Sequence, residues 1–244
     1  MNQLLKVTIV VSMIVIEFTA CKTEEPEAFW YSYGTYLNPT GETNDFIVKL
    51  DNGTTLIPMV SEGIQNGVED SSRVVVTYAI VSEISDTIKA KVIEVADILT
   101  KGILQLTANN MDSIGNDKVQ LSNNEIWLSE FHLNFVFGYY YGGATTHYIN
   151  LVKPIGEQLD ENGRQILEFK HNDNNDPYNY WILSVVSFDM RSIYTDGMDS
   201  INFVVHSNNF DNSDFKWEGT YYFNNANSSS VAKIGEPKFN KMIE

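Results

Sequence analysis

Apolar side chains recur at every second position through most of this chain and almost never at the three-and-four spacing of a helix face. In the run from Arg73 to Ser82, Val74, Val76, Tyr78 and Ile80 share one face. The other face (Val75, Thr77, Ala79, Val81) is also mildly apolar, which suits a strand inside a curled barrel. Phe46, Val48 and Leu50 alternate with Ile47 and Lys49 and lead into Asn52-Gly53. Both residues tolerate the positive φ of a tight hairpin, so Thr54 to Pro58 is expected to return as the partner strand. Ser85-Asp86 makes the next break, after which Ile88, Ala90 and Val92 alternate with Lys89 and Lys91. Trp30 to Leu37 is aromatic and rich in strand formers. Ala96 to Lys101 is the exception and reads as one helical turn ended by Gly102.

Periodicity fails over residues 109–118, where Asn, Asp, Ser and Gly read as a linker. Alternation then resumes with Leu133, Phe135, Phe137 and Tyr139 against Asn134, Val136, Gly138 and Tyr140. Gly142-Gly143 turns the chain into Thr145 to Val152, and further strands follow at Ile166–His171, Trp181–Asp189, Ser200–His206 and Phe215–Phe223. Short strands at this spacing with no helical period between them predict a sandwich. About 75 residues of strand text around an early hairpin predict a small OB-like barrel before it. The expected class is all-β: an OB-like barrel over 30–108, a linker over 109–118, a β-sandwich over 119–224 and a polar tail over 225–244.

The first residues follow another logic. Lys6 precedes a core of ten mostly apolar residues, Val7 to Ile16, and Phe18-Thr19-Ala20 leads to Cys21, the single cysteine of the chain. A membrane span needs about 20 apolar residues, so the layout predicts a secretory signal over 1–20 whose cleavage leaves Cys21 as a new N-terminus. A cysteine at that point is expected to be lipidated and to anchor the protein. With that thiol consumed, no internal disulfide is available, and stability rests on burial and backbone pairing.

Charge narrows the partners. There are 16 basic against 32 acidic residues, a net charge of −16. Nucleic-acid binding depends on Lys and Arg neutralising phosphates, so a nucleic acid is not expected. Contact with a membrane is left to the lipid. Residues 21–29 form an acidic tether, Lys22-Thr23-Glu24-Glu25-Pro26-Glu27 among them. Acidic residues behind a lipidated cysteine resemble the export signal of surface lipoproteins in some Gram-negative bacteria, which favours the outer surface of the outer membrane over the periplasmic face.

The stretches Ser32–Thr35, Phe46–Pro58, Val74–Ser82 and Asp97–Gly102 resemble the N-terminal OB-like domain of NigD-like lipoproteins. Asn124–Leu128, Leu133–Tyr141, His147–Val152, Phe169–Asn172 and Ser187–Arg191 resemble that family's C-terminal β-sandwich. The resemblance runs in order from about Trp30 to Phe223. It implies a bacteriocin-immunity role, the setting from which the family is named, and it brings no catalytic residues and no cofactor.

Residue chemistry adds few candidates. Among four histidines, His147 shares a face with Ile149 and Leu151, and His171 with Leu167 and Phe169, which places both in the core. No His-x-His or Glu-x-x-His spacing marks a zinc site. The loop His171 to Pro177 crowds oxygen donors, with Asp173, Asn175 and Asp176 as metal candidates. Counted from Asp173, however, Pro177 and Tyr178 fall where a calcium loop needs a donor and a Gly, so a self-bonded turn is expected. No Gly-x-Ser-x-Gly occurs, and catalytic residues are not expected. Tyr139, Tyr140 and Tyr141 at one turn, with Tyr178 and Tyr180 after the polar loop, are the candidate ligand contacts, able to stack on sugars or anchor a protein. Asp86-Thr87-Ile88, Asp112-Ser113-Ile114 and Asp199-Ser200-Ile201 resemble a bacterial O-glycosylation pattern. The expectation is a non-catalytic binder whose partner is a cationic protein or peptide. The alternatives are a glycan-binding accessory lipoprotein and a hydrolase.

Overall fold

The computed structural model describes residues 28–42, 45–156, 158–212, 214–223 and 240–242. The expected signal over 1–20, Cys21 and most of the tether and tail lie outside them. The first strands are β1 (Phe29–Leu37), β2 (Ile47–Leu50), β3 (Thr55–Ser61), β4 (Arg73–Ile84) and β5 (Thr87–Asp97). They hydrogen-bond in the order β1-β2-β3-β5-β4, and β1 pairs with β4 to close the sheet on itself. Closure gives β4 one interior face: Val74, Val76 and Tyr78 fill the interior with Val48, Leu56, Ile88, Ala90 and Val92, all buried. Ile80, expected on that face, instead lies at a register shift of the β4–β5 pair and is exposed, as is Val81. The Asn52-Gly53 turn forms as expected, with Gly53 at φ 89 and Val48 opposite Leu56.

The remaining elements are β6 (Leu99–Gly102), β7 (Leu104–Gln105), a short helix α1 (Met111–Ile114), β8 (Ile126–Leu128), β9 (His132–Tyr141), β10 (Tyr148–Lys153), β11 (Gln165–Asn172), β12 (Tyr180–Asp189), β13 (Ser200–Asn208), β14 (Asp214–Tyr222) and β15 (Asn240–Met242). Strand β15 returns to the barrel and pairs with β1. The others form two sheets, β14-β13-β11-β10-β7 and β6-β12-β9-β8. Phe135, Phe169, Phe188 and Phe203 meet between them in one apolar core. Phe135 packs 4.9 Å from Phe169 and 5.8 Å from Phe188 between ring centroids.

Two expectations change. Residues 96–101 are not a helical turn: β5 runs to Asp97, and β6 pairs in parallel with β12, Leu99 opposite Val186. The backbone of β6 is satisfied by a strand far along the chain, and that pairing overrides the local helical signal. The change from barrel to sandwich therefore comes at Ile98, ahead of the expected linker. Residues 109–118 are bound to the sandwich: Ile114 is buried, Asn172 Nδ2 donates to the Ser113 carbonyl at 2.9 Å, and the Asp117 N–H donates to the His171 carbonyl at 2.8 Å.

Barrel and sandwich meet through a buried polar cluster. Arg73 of β4 donates to Asp51 and also, at 3.0 Å, to Asn134 Oδ1 of β9. Trp127 Nε1 of β8 donates to Asp51 at 2.7 Å, and the Ser187 hydroxyl to Asn134 Oδ1 at 2.7 Å. Every carboxylate and amide oxygen of Asp51 and Asn134 thus accepts a hydrogen bond, which is what burial demands.

Candidate functional site

Strand alternation sends the tyrosines of β9 to opposite sides of its sheet. Tyr139 turns inward, where it stacks on Phe137 (5.4 Å, interplanar 16°) and lies 5.0 Å from the His147 ring and 5.3 Å from that of His171. Tyr140 turns outward, directly across from Trp181 of β12. Around Tyr140 gather Tyr178 (5.4 Å, stacked), Trp181 (5.2 Å, edge-on) and Phe210 (5.4 Å, edge-on), and Trp181 also meets Phe210 at 5.6 Å. Three of these rings remain open to solvent, Tyr140 at 37%, Trp181 at 46% and Tyr178 at 56% relative exposure. Scattered exposed apolar residues are ordinary on a protein surface, whereas a contiguous aromatic patch is a candidate interaction site.

Local structure builds the patch. Gly138 precedes Tyr140 on the same face, and a Cβ there would lie 2.2 Å from Trp181 Cζ2, so the indole lies flat over bare backbone. Phe210 arrives from the turn between β13 and β14, in the other sheet. Residues 119–121 bridge the sheets, Val119 beside Asn209 and Gln120 beside Gly138, and so bring that turn to Tyr140. Tyr141 and Tyr180 stand opposite each other on the inward-facing register at the sheet end. Both are exposed, and Tyr141 packs edge-on against His147 at 5.5 Å. The five tyrosines are thus divided: Tyr140 and Tyr178 join the patch, Tyr141 and Tyr180 lie on the other face at the sheet end, and Tyr139 lies beneath. Trp181 and Phe210 complete it and were not among the sequence candidates. The run Tyr178-Asn179-Tyr180-Trp181 after the polar loop was the signal available for Trp181; nothing in the sequence placed Phe210.

Beneath the patch lies a chain of titratable groups. His147 Nδ1 is 2.9 Å from His171 Nε2, His147 Nε2 is 3.1 Å from Asp176 Oδ2, and His171 Nδ1 is 3.2 Å from the Lys118 carbonyl. Both histidines are buried side chains, as their strand faces predict, but they touch each other. Asp176 is fully buried and accepts backbone N–H bonds from Gly142, Gly143, Ala144 and Thr145. Burial alone would raise its carboxyl; the bonds from Gly142, His147, Ala144 and Thr145 outweigh that and bring it down to about 2. Burial also pushes His171 down, against the pull of the Lys118 carbonyl.

The oxygen-rich loop is consumed by its own bonds. Asp173 accepts from the Asn175 N–H at 2.8 Å and the Tyr178 hydroxyl at 3.0 Å, while Asp176 faces inward. Asp173, Asn175 and Asp176 therefore do not converge on a common point. Among the described residues no group of three or more His, Cys, Asp or Glu side chains is arranged to hold a metal ion, and no helix is long and apolar enough to cross a membrane.

Comparison with known proteins fits this architecture. Residues 35–100 match the NigD-like N-terminal OB domain and residues 102–221 the NigD-like C-terminal beta sandwich domain. The chain belongs to the NigD-like family. Solved structures repeat the NigD-like two-part fold. A proposed toxin-related protein from Parabacteroides distasonis is 27% identical with a TM-score of 0.64, over 80% of this chain and 94% of that one. A NigD-like immunity protein from Bacteroides caccae is 17% identical with a TM-score of 0.58, over 80% and 97%. A proposed lipoprotein from Bacteroides fragilis is 13% identical with a TM-score of 0.55, over 81% and 99%. Among curated proteins none matches this NigD-like chain.

Proposed function

We propose that this NigD-like protein is a non-catalytic, lipid-anchored protein of the cell envelope, held in the outer membrane by Cys21 with its folded part on the outer surface. Its aromatic patch captures a cationic peptide or protein. The observation that carries the reading is the exposed cluster of Tyr140, Tyr178 and Trp181 around Phe210. Aromatic faces attract Lys and Arg side chains, and a net charge of −16 steers cationic partners toward the protein at low salt. Asp211 is exposed directly beside Phe210. A NigD-like immunity protein among the solved structures agrees with a role in intercepting a cationic bacteriocin before it reaches lipid.

The test pairs a set of cationic bacteriocins with a neutral glycan array at two ionic strengths, using the protein with Cys21 replaced by Ser. Peptide binding that weakens with salt and falls on Trp181→Ala supports the reading. Salt-insensitive sugar binding that fails on Tyr140→Ala replaces it with the glycan-binding alternative, because neutral sugars depend on stacking and feel little of the protein's field. Anchoring has its own check. Cys21→Ser is expected to block lipidation and leave the protein either uncleaved or released from the membrane fraction; unchanged fractionation and mass overturn that part.

A further inference from the structure

Three polar contacts run end to end inside the sandwich: Lys118 carbonyl to His171, His171 to His147, and His147 to Asp176. Both ends are acceptors without a proton of their own, a peptide carbonyl and an ionised carboxylate. Each end needs a ring N–H pointing at it, and the contact between the rings needs one more. Three protons are required, and two neutral imidazoles carry only two. With both rings neutral, one contact must set lone pair against lone pair, inside a buried cluster where an unmade bond is costly.

Position decides which ring takes the third proton. His171 is buried, and only a carbonyl faces its far nitrogen. His147 Nε2 faces Asp176 itself. The carboxylates that act on the pair are Asp176, at His147 Nε2, and Asp173 and Asp117, which act on His171; the first two come from the loop before β12 and the third from the segment before β8. Tyr139 and Tyr141 of β9 add ring faces, and Tyr178 donates its hydroxyl to Asp173. The Lys118 ammonium is turned away, donating to Asn212 at 2.6 Å.

We propose that His147 is kept as a buried imidazolium between Asp176 and a neutral His171, and that this proton orders the aromatic patch. His171 is then the tautomer with hydrogen on Nδ1, donating to Lys118 and accepting at Nε2 from His147. The proton ties together the loops that flank the patch. Asp176 gathers the four N–H groups that follow Tyr141, and it stands two residues before Tyr178, which stacks on Tyr140. When rising pH removes the proton, a ring lone pair is left against the Asp176 carboxylate or the Lys118 carbonyl. The loops then part, and Tyr178 loses its place beside Tyr140. As a regulation of the patch this rests on the binding reading, but the proton itself does not.

The test needs no ligand, so it fails or holds separately from that reading. The whole protein labelled with 15N in histidine is followed by long-range imidazole NMR from about pH 6, near the ordinary histidine value, upward. His147 is expected to show both nitrogens protonated at the acid end and His171 only Nδ1. Loss of the His147 proton is expected to coincide with amide exchange at Gly142–Thr145 that is faster, after correction for intrinsic rates, by about tenfold. It also coincides with a rise in acrylamide quenching of Trp181, isolated by comparison with Trp181→Phe. His147→Gln, which keeps a donor and an acceptor but carries no charge, is expected to abolish the step; if that variant does not fold, Asp176→Asn serves the same purpose. A neutral His147 at the acid end, or a wild-type protein whose exchange and quenching show no step, overturns the proposal.

Discussion

The guanidinium of Arg73 clasps the carboxylate of Asp51 in a two-bond fork, Nη1 to Oδ1 at 2.7 Å and Nη2 to Oδ2 at 2.6 Å. Only 1% and 4% of the two side chains is exposed. Such a pair is not a measure of stability by itself, because taking both charges out of water costs about as much as their attraction returns. Removing one partner is different, since the other is left buried and uncompensated. Arg73→Met or Asp51→Asn is expected to cost about 3–5 kcal/mol, read as a lower urea midpoint. Arg73→Lys is expected to destabilise as well, because an ammonium cannot make the fork and still reach Asn134. An Arg73→Met midpoint equal to wild type would show that the cluster does not join barrel and sandwich.

His132 gives the fold a dependence on acid. Burial first, and the neighbouring Arg73 second, push it from 6.5 down to about 4. A group depressed on folding favours the folded state fully above its unfolded value. Between pH 6.5 and about 4 the unfolded chain binds the proton and the folded one does not. Stability is therefore expected to fall across that window by about 3 kcal/mol from this residue. Urea midpoints for wild type and His132→Asn, measured from neutral pH downward, should converge as pH falls. Parallel curves would remove His132 as the cause.

The indole over Gly138 supplies a finer test. An added Cβ would meet Trp181 Cζ2 at 2.2 Å, and the solvent side of that half-exposed ring is where it can move to relieve the contact. Gly138→Ala is expected to leave the circular dichroism and the core intact, to cost about 1–3 kcal/mol as an overpacking change, and to shift the Trp emission to the red. A loss of folding instead would mean that Trp181 is fixed from its outer side.

The period-two text was legible because each inward residue packs against a sheet. Val74, Val76 and Tyr78, or Leu133, Phe135 and Phe137, sit where their alternation places them. Residues 96–101 were misread as a helical turn because the deciding partner, β12, lies far along the chain and leaves no mark in a local window. The histidine pair failed for a related reason. Sequence placed His147 and His171 on inward faces, but their meeting depends on register: Ile149 stands opposite His171, which leaves His147 diagonal to it and within reach. Tyr140 and Tyr178 could be read as exposed aromatics near a turn. Phe210 could not, since it joins them only through the bridging strand segment at 119–121.

Neighbouring tyrosines on β9 separate packing from binding. Tyr139 lies inside, against Phe137 and both histidines, and Ser184 donates to its hydroxyl at 3.5 Å, a marginal contact. Tyr139→Ala removes a ring from a packed site and exposes the histidine pair, so a cost of about 3–5 kcal/mol is expected, as for other aromatic truncations. Tyr140 meets only rings that are themselves partly open to water. Its loss to Ala is expected to cost about 1 kcal/mol of the edge-on and stacked contacts, and stability should change little beyond that. Binding should respond in the opposite order once stability is allowed for. With poly-lysine as a cationic probe at low salt, Tyr140→Ala is expected to weaken affinity about tenfold, the scale of a contact at an interface centre. Tyr139→Ala, measured where it is still folded, should weaken it less. Equal affinities for wild type and Tyr140→Ala would move the contact surface away from this sheet face, and the exposed Tyr141 and Tyr180 would be the next residues to change.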